Sequence, residues 1–174
     1  MIDHLPDRLD LIATAEAGRD LRGRLTVAGL ERLLPALASD QGELEIELNL
    51  GKDAGGTRFL AGTIQGEVIL DCQRCMKDMT LPLDLVFRLG LIRDEHAVGT
   101  LPDCYEPLAV TAEPAYIADI IAEEILLALP IVPLHRDSDE CHAFVKAYKP
   151  PAGKQRENPF AVLAGLKQKQ KQKQ

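Results

Sequence analysis

With 174 residues, 46% of them hydrophobic and 27% charged, the chain is sized for one domain with a real core plus a tail, and its composition is that of an ordinary globular protein. Four Phe, three Tyr and no Trp predict a core of Leu, Ile and Val, and they argue against a surface of stacked aromatics for single-stranded nucleic acid. The net charge of −7 is uneven: residues 1–148 hold 26 acidic and 13 basic residues, whereas residues 149–174 hold seven basic residues and one acidic. An acidic body repels phosphate backbones and attracts basic partners; a basic tail does the reverse.

The N-terminus has no basic segment followed by an apolar run, and no stretch approaches the roughly 18 apolar residues that span a bilayer. Four unevenly spaced cysteines are too few for a disulfide scaffold and fit thiols kept reduced in a cytosol, so a cytoplasmic protein is expected.

In chain order, residues 8–14 alternate loosely through Leu9, Leu11 and Ile12 and predict an edge strand. Residues 26–38 open on Thr26 in cap position and place Leu30, Leu33, Leu34 and Leu37 at helical spacing, with Pro35 ending the helix early. Residues 42–50 alternate almost strictly, Leu44, Ile46, Leu48 and Leu50 on one side and Glu43, Glu45, Glu47 and Asn49 on the other. A turn at 52–56 follows, then one or two strands over 57–72 with Ile64, Val68 and Leu70 apolar. Residues 81–92 alternate again, with Leu81, Leu83, Leu85, Phe87, Leu89 and Leu91 sharing a face. Short polar turns between such strands favour an antiparallel meander, flat or curled toward a barrel.

Residues 93–104 read as an acidic loop and 106–111 as a short strand. Pro114 suits the first turn of a helix through Ile117, Ile120, Ile121, Ile125 and Ala128 to Leu129, which Pro130 stops. Glu124 projects into that apolar arc; either helix tilt brings it to water or it meets a cation such as Arg74. Residues 149–153 are a linker by composition, 158–163 a short docking helix, and 167–174 a Lys-Gln run of low complexity. The expected architecture is α+β: an antiparallel sheet or partly closed barrel of about five to seven strands with two main helices in residues 1–148, then a basic C-terminal tail in 149–174.

The chemistry-bearing stretch is Cys72-Gln73-Arg74-Cys75, at the end of a strand. Two residues between thiols let both sulfurs face one point, which makes half of a zinc site; buried thiols and a redox pair are the other readings. A thioredoxin-like pair opens a helix, whereas residues 76–80 read as a turn between strands. The ligands that would complete a Cys3His zinc site are His135 and Cys141, with His142 as the alternative to His135. Cys104 is the weakest candidate, and His4 and His96 read as solvated loop residues. No Walker loop, Gly-x-Ser-x-Gly or His-Glu-x-x-His is present, so a binding or assembly module is favoured over a catalyst.

The Cys72–Cys75 motif, residues 105–110, residues 124–135 with Cys141 after them, and residues 158–167 together resemble the bacterial YceD proteins, the large ribosomal RNA subunit accumulation proteins. The resemblance implies a role in accumulation of large-subunit ribosomal RNA, through processing of its precursor or assembly of its particle, and brings no catalytic residues with it. Joined to the charge pattern, it implies a non-catalytic adaptor that binds a basic ribosomal protein, the tail touching RNA. Direct binding of precursor RNA and metal-dependent hydrolysis are the alternatives.

Overall fold

The computed structural model describes residues 5–93, 99, 101–111, 113–135, 141, 143 and 147. The chain forms two compact units, Met1–Asp137 and Ser138–Gln174; in the second, Cys141, Ala143 and Ala147 are helical. The elements that follow belong to the first: β1 (Arg8–Leu9), α1 (Leu11–Ala17), β2 (Arg19–Thr26), β3 (Glu43–Lys52), β4 (Arg58–Asp71), β5 (Asp78–Ile92), β6 (Glu106–Ala109), β7 (Ala115–Tyr116) and α2 (Ile117–Ala128).

β2, β3, β4, β5 and β6 make one open sheet in that order, and β1 pairs with β7 in a second, two-stranded ribbon. The fold is α+β and mostly antiparallel, and the sheet does not close into a barrel. β6 departs from the expected meander, because it lies parallel to β5 with Leu91 opposite Leu108.

The alternation read from the sequence decides which face is buried. Cross-strand rows such as Leu21-Leu48-Gly62-Phe87 and Gly23-Ile46-Ile64-Leu85 point inward, and Leu44, Ile46, Leu50, Leu60 and Ile64 are fully enclosed. Each large aliphatic side chain removed from water contributes about 1.5–3 kcal/mol. The opposite face is charged and carries cross-strand pairs, among them Arg22–Glu47 at 2.8 Å and Arg24–Glu45 at 2.6 Å. The stretch expected to hold one or two strands at 57–72 is a single strand, β4.

α2 covers the apolar face with Ile117, Ile120, Ile121, Ala122 and Ile125, as its spacing predicts, although Ala128 is exposed. Arg32 holds Glu123 on this helix at 2.6 Å. β7 leads directly into α2, and its partner β1 is tied there by Arg8, whose guanidinium lies 4.1 Å from the centre of the Tyr116 ring.

Two expectations near the N-terminus fail. Residues 8–14 are not a strand beyond Leu9, because the Asp10 carboxylate accepts from Ala13 N–H at 2.9 Å and Gly18 closes the turn at φ 60, so capping at both ends makes α1 a helix. Residues 26–38 are not one helix: only Val27–Gly29 and Leu34–Ala36 wind, as 3-10 turns. Gly29 and Pro35 break the winding, the Thr26 hydroxyl makes no cap bond, and the segment still buries Val27, Leu30 and Leu33 against the core.

Candidate metal centre

β4 outruns its neighbour. Its pairing with β3 ends at Gln65 opposite Glu45, but its pairing with β5 continues to Asp71 opposite Asp78, so the β4–β5 hairpin extends past the edge of β3. Gly66 stands where it departs. With φ +148, and with a β-carbon there falling 2.7 Å from Leu44 Cδ2 and 3.0 Å from the Glu43 carbonyl oxygen, this position accepts only glycine without strain. The returning loop supports the hairpin, Ala38 N–H donating to the Ile69 carbonyl at 2.8 Å.

The cysteine motif is the turn at the hairpin's end. Cys72 N–H donates to Lys77 C=O at 3.0 Å, and Met76 N–H returns to Cys72 C=O at 2.8 Å. Met76 takes the left-handed conformation, φ 55, that this tight return requires. Both sulfurs end up enclosed, Cys72 at 0% and Cys75 at 4% exposure.

His135 arrives from the other direction. Pro130 and the extended Leu129 end α2, and the chain turns back to the hairpin, where Gln73 N–H donates to Pro133 C=O at 2.9 Å. The His135 ring lies between two hydrogen-bond partners: Nε2 is 3.1 Å from the Asp78 carbonyl oxygen, and Nδ1 is 3.5 Å from Cys75 Sγ. A carbonyl only accepts, so Nε2–H donates to it, and Nδ1 faces the Cys75 sulfur. Such a carbonyl partner is the usual orienting contact of a metal-binding imidazole.

Burial pushes the Cys72 thiol up, but the backbone N–H groups of His135, Cys75 and Arg74 point at its sulfur and bring it down to about 5. That direction favours the thiolate, the form that binds metal. Of the four expected ligands, Cys72, Cys75 and His135 belong to the first unit, where their ligand atoms lie within 4.8 Å of one another, and Cys141 belongs to the second. Three sulfurs and one imidazole are the donor set of a structural zinc site. Cys141 is itself buried. Cys104 is exposed and stands apart from this group. His142, His4 and His96 lie outside the described residues, as does the tail from 149 onward.

Among the described residues, the Glu124 carboxyl meets no cation. Its pKa is raised by burial first and then by the charges of Glu106 and Glu123. What the sequence hid at the site is backbone: the Asp78 and Pro133 carbonyls, the N–H groups around Cys72 and the left-handed Met76 carry no residue-type signal.

The family model described as "Large ribosomal RNA subunit accumulation protein YceD" matches residues 60–167, more than half of the chain. A curated relative, the large ribosomal RNA subunit accumulation protein YceD of Haemophilus influenzae, is 29% identical over 170 residues, covering 95% of this chain and 97% of the relative. No solved structure matches the chain. The matched region begins within β4 and contains the cysteine turn, α2, His135 and Cys141.

Proposed function

Because the chain belongs to the YceD family of large ribosomal RNA subunit accumulation proteins, we propose that it supports accumulation of large-subunit ribosomal RNA as a cytoplasmic, non-catalytic adaptor for a basic ribosomal protein. The observation that carries this reading is charge. Residues 1–148 hold twice as many acidic as basic residues, 26 against 13. A body of that sign attracts a cationic protein and repels RNA.

In this reading Cys72, Cys75, His135 and Cys141 hold a structural zinc ion. The ion, when bound, supplies a cross-link and uses all four donors, leaving no open position for a substrate. The chain's own residues prepare it: three N–H groups hold the Cys72 thiolate, and the Asp78 carbonyl turns His135 toward the sulfurs. Their product is a clasp between the hairpin tip and the segment that follows α2. Direct RNA binding is the second reading, and the seven basic residues of 149–174 favour it.

Two measurements test the proposal. Full-length protein purified without chelator or affinity tag should contain about one zinc per chain and lose thermal stability on chelation; less than roughly 0.2 equivalents rejects the clasp. Titrated with individual purified basic proteins of the large subunit near physiological salt, the same protein should bind at least one of them. Binding none of them rejects the adaptor.

A further inference from the structure

Among the described residues, four of the exposed large apolar side chains lie on the two segments of the clasp. On the segment after α2, Ile131 is 100% and Val132 56% exposed; Leu127 on the last turn of the helix is 76% exposed, and Met76 on the cysteine turn 66%. Single exposed hydrophobes are ordinary on a protein surface. Here four lie on two segments that hydrogen bonds fasten together, through Gln73 to Pro133 and His135 to Asp78. Pro130 and Pro133 bracket the Ile131-Val132 pair and limit its backbone freedom. Exposed apolar side chains on segments fastened in this way are candidates for a docking site.

Charge selects the occupant. Residues 71–78 and 117–135 together carry five carboxylates (Asp71, Asp78, Asp119, Glu123, Glu124) against Arg74 and Lys77, and even with Arg32 paired to Glu123 the balance stays acidic. Glu106 adds to the field at Glu124. Nucleic acid fits poorly, because its phosphates meet an acidic balance and the exposed side chains are aliphatic, offering no ring for a base to stack on. An anionic lipid surface is repelled for the same reason, and a second copy would set like charges opposite one another. A protein segment with aliphatic anchors and a Lys/Arg-rich flank satisfies both features.

We propose that Met76, Leu127, Ile131 and Val132 form the docking surface for a cationic, amphipathic segment of the partner protein, held in shape by the Cys72–Cys75 turn and the Pro133–His135 segment. The inference rests on the adaptor reading and names the surface that reading leaves open.

The test uses the full-length protein and three synthetic peptides of equal length: Lys/Leu amphipathic, Lys/Ser of the same charge, and Glu/Leu of the same apolar content. The Lys/Leu peptide should bind best, and Leu127→Ser with Ile131→Ser should weaken it at least about tenfold, a typical loss for apolar anchors at an interface, with zinc content and thermal midpoint unchanged. If the double variant shifts the midpoint, Ile131→Lys alone replaces it, since that side chain is fully exposed and the new charge should repel the peptide. Equal binding by Lys/Ser, no binding by Lys/Leu, or unaltered binding by the variant overturns the surface. Basic ribosomal proteins separate the two readings. Equal binding to wild type and variant removes this surface and keeps the adaptor, whereas failure to bind wild type removes both.

Discussion

Glu124 shows at the residue scale how a carboxylate is held at a cost. It sits half-buried on α2, and among the described residues the charges that act on it, Glu106 and Glu123, are negative. Burial and repulsion raise its pKa above the ordinary 4.5, so the folded state favours the protonated form. For a group raised in this direction, the stability it contributes is present below the unfolded pKa and is lost as pH rises through the folded pKa. At neutral pH Glu124 is therefore a destabilising residue, and Glu124→Gln should stabilise the protein. Because the side chain is partly solvated, the gain should stay below about 1 kcal/mol. Urea unfolding at pH 7 and at pH 4 checks this: the advantage of the variant should be present at the first and shrink at the second. An equal advantage at both pH values would mean that the benefit comes from packing and not from removing a charge. Cys72 is the opposite case, since its thiolate is buried yet stabilised by three backbone donors. That contrast was illegible in the sequence, because residue types reveal a Cys and a Glu but not which backbone groups face them.

At the scale of elements, the interior row Leu21-Leu48-Gly62-Phe87 depends on a missing side chain. A β-carbon at residue 62 would overlap the Phe87 ring and stand 2.9 Å from Leu48 Cδ2, so glycine on β4 makes room for an aromatic on β5. Gly62→Ala should cost about 1–3 kcal/mol by overpacking. Combined with Phe87→Leu it should cost less than the sum of the single changes, with a coupling of about 0.5–3 kcal/mol; strict additivity in denaturant unfolding would show that the ring does not fill that space. Much of the sheet was legible because burial on one face leaves a period of two, as in β3 and β5. β2 escaped because its inward positions are Leu21, Gly23 and Leu25, and a glycine at the centre erases the alternation. Leu5 fills the space above Gly23, where a β-carbon would stand 2.9 Å from Leu5 Cγ, a tertiary contact that no local pattern announces. Over residues 26–38 the apolar positions were read correctly, since Leu30 and Leu33 are buried; the winding was not, because Gly29 and Pro35 outweigh helical spacing. The parallel placement of β6 was likewise hidden, as alternation names a buried face but not a partner strand.

On the scale of the whole molecule, the two ends of the charge distribution make opposite demands on RNA. A body with 26 acidic and 13 basic residues repels a phosphate backbone, whereas residues 149–174, with seven basic residues and one acidic, attract it. If the protein is an adaptor, RNA affinity resides in the tail alone, and it should be weak and steeply dependent on salt. Each phosphate neutralised on a single strand contributes about −0.7 to the slope of log affinity against log salt, so up to seven contacts set a slope no steeper than about −5. Removing residues 149–174 should abolish binding to a large-subunit RNA fragment and flatten that slope, while binding to a basic ribosomal protein should survive or strengthen, since the truncation removes positive charge. Measuring both affinities for full-length and truncated protein at two salt concentrations decides the matter. Tight RNA binding that persists without the tail would place the RNA on the acidic body, against its electrostatics, and would replace the adaptor with a direct RNA-binding module. Loss of protein binding on truncation would move the partner's site from the body to the tail.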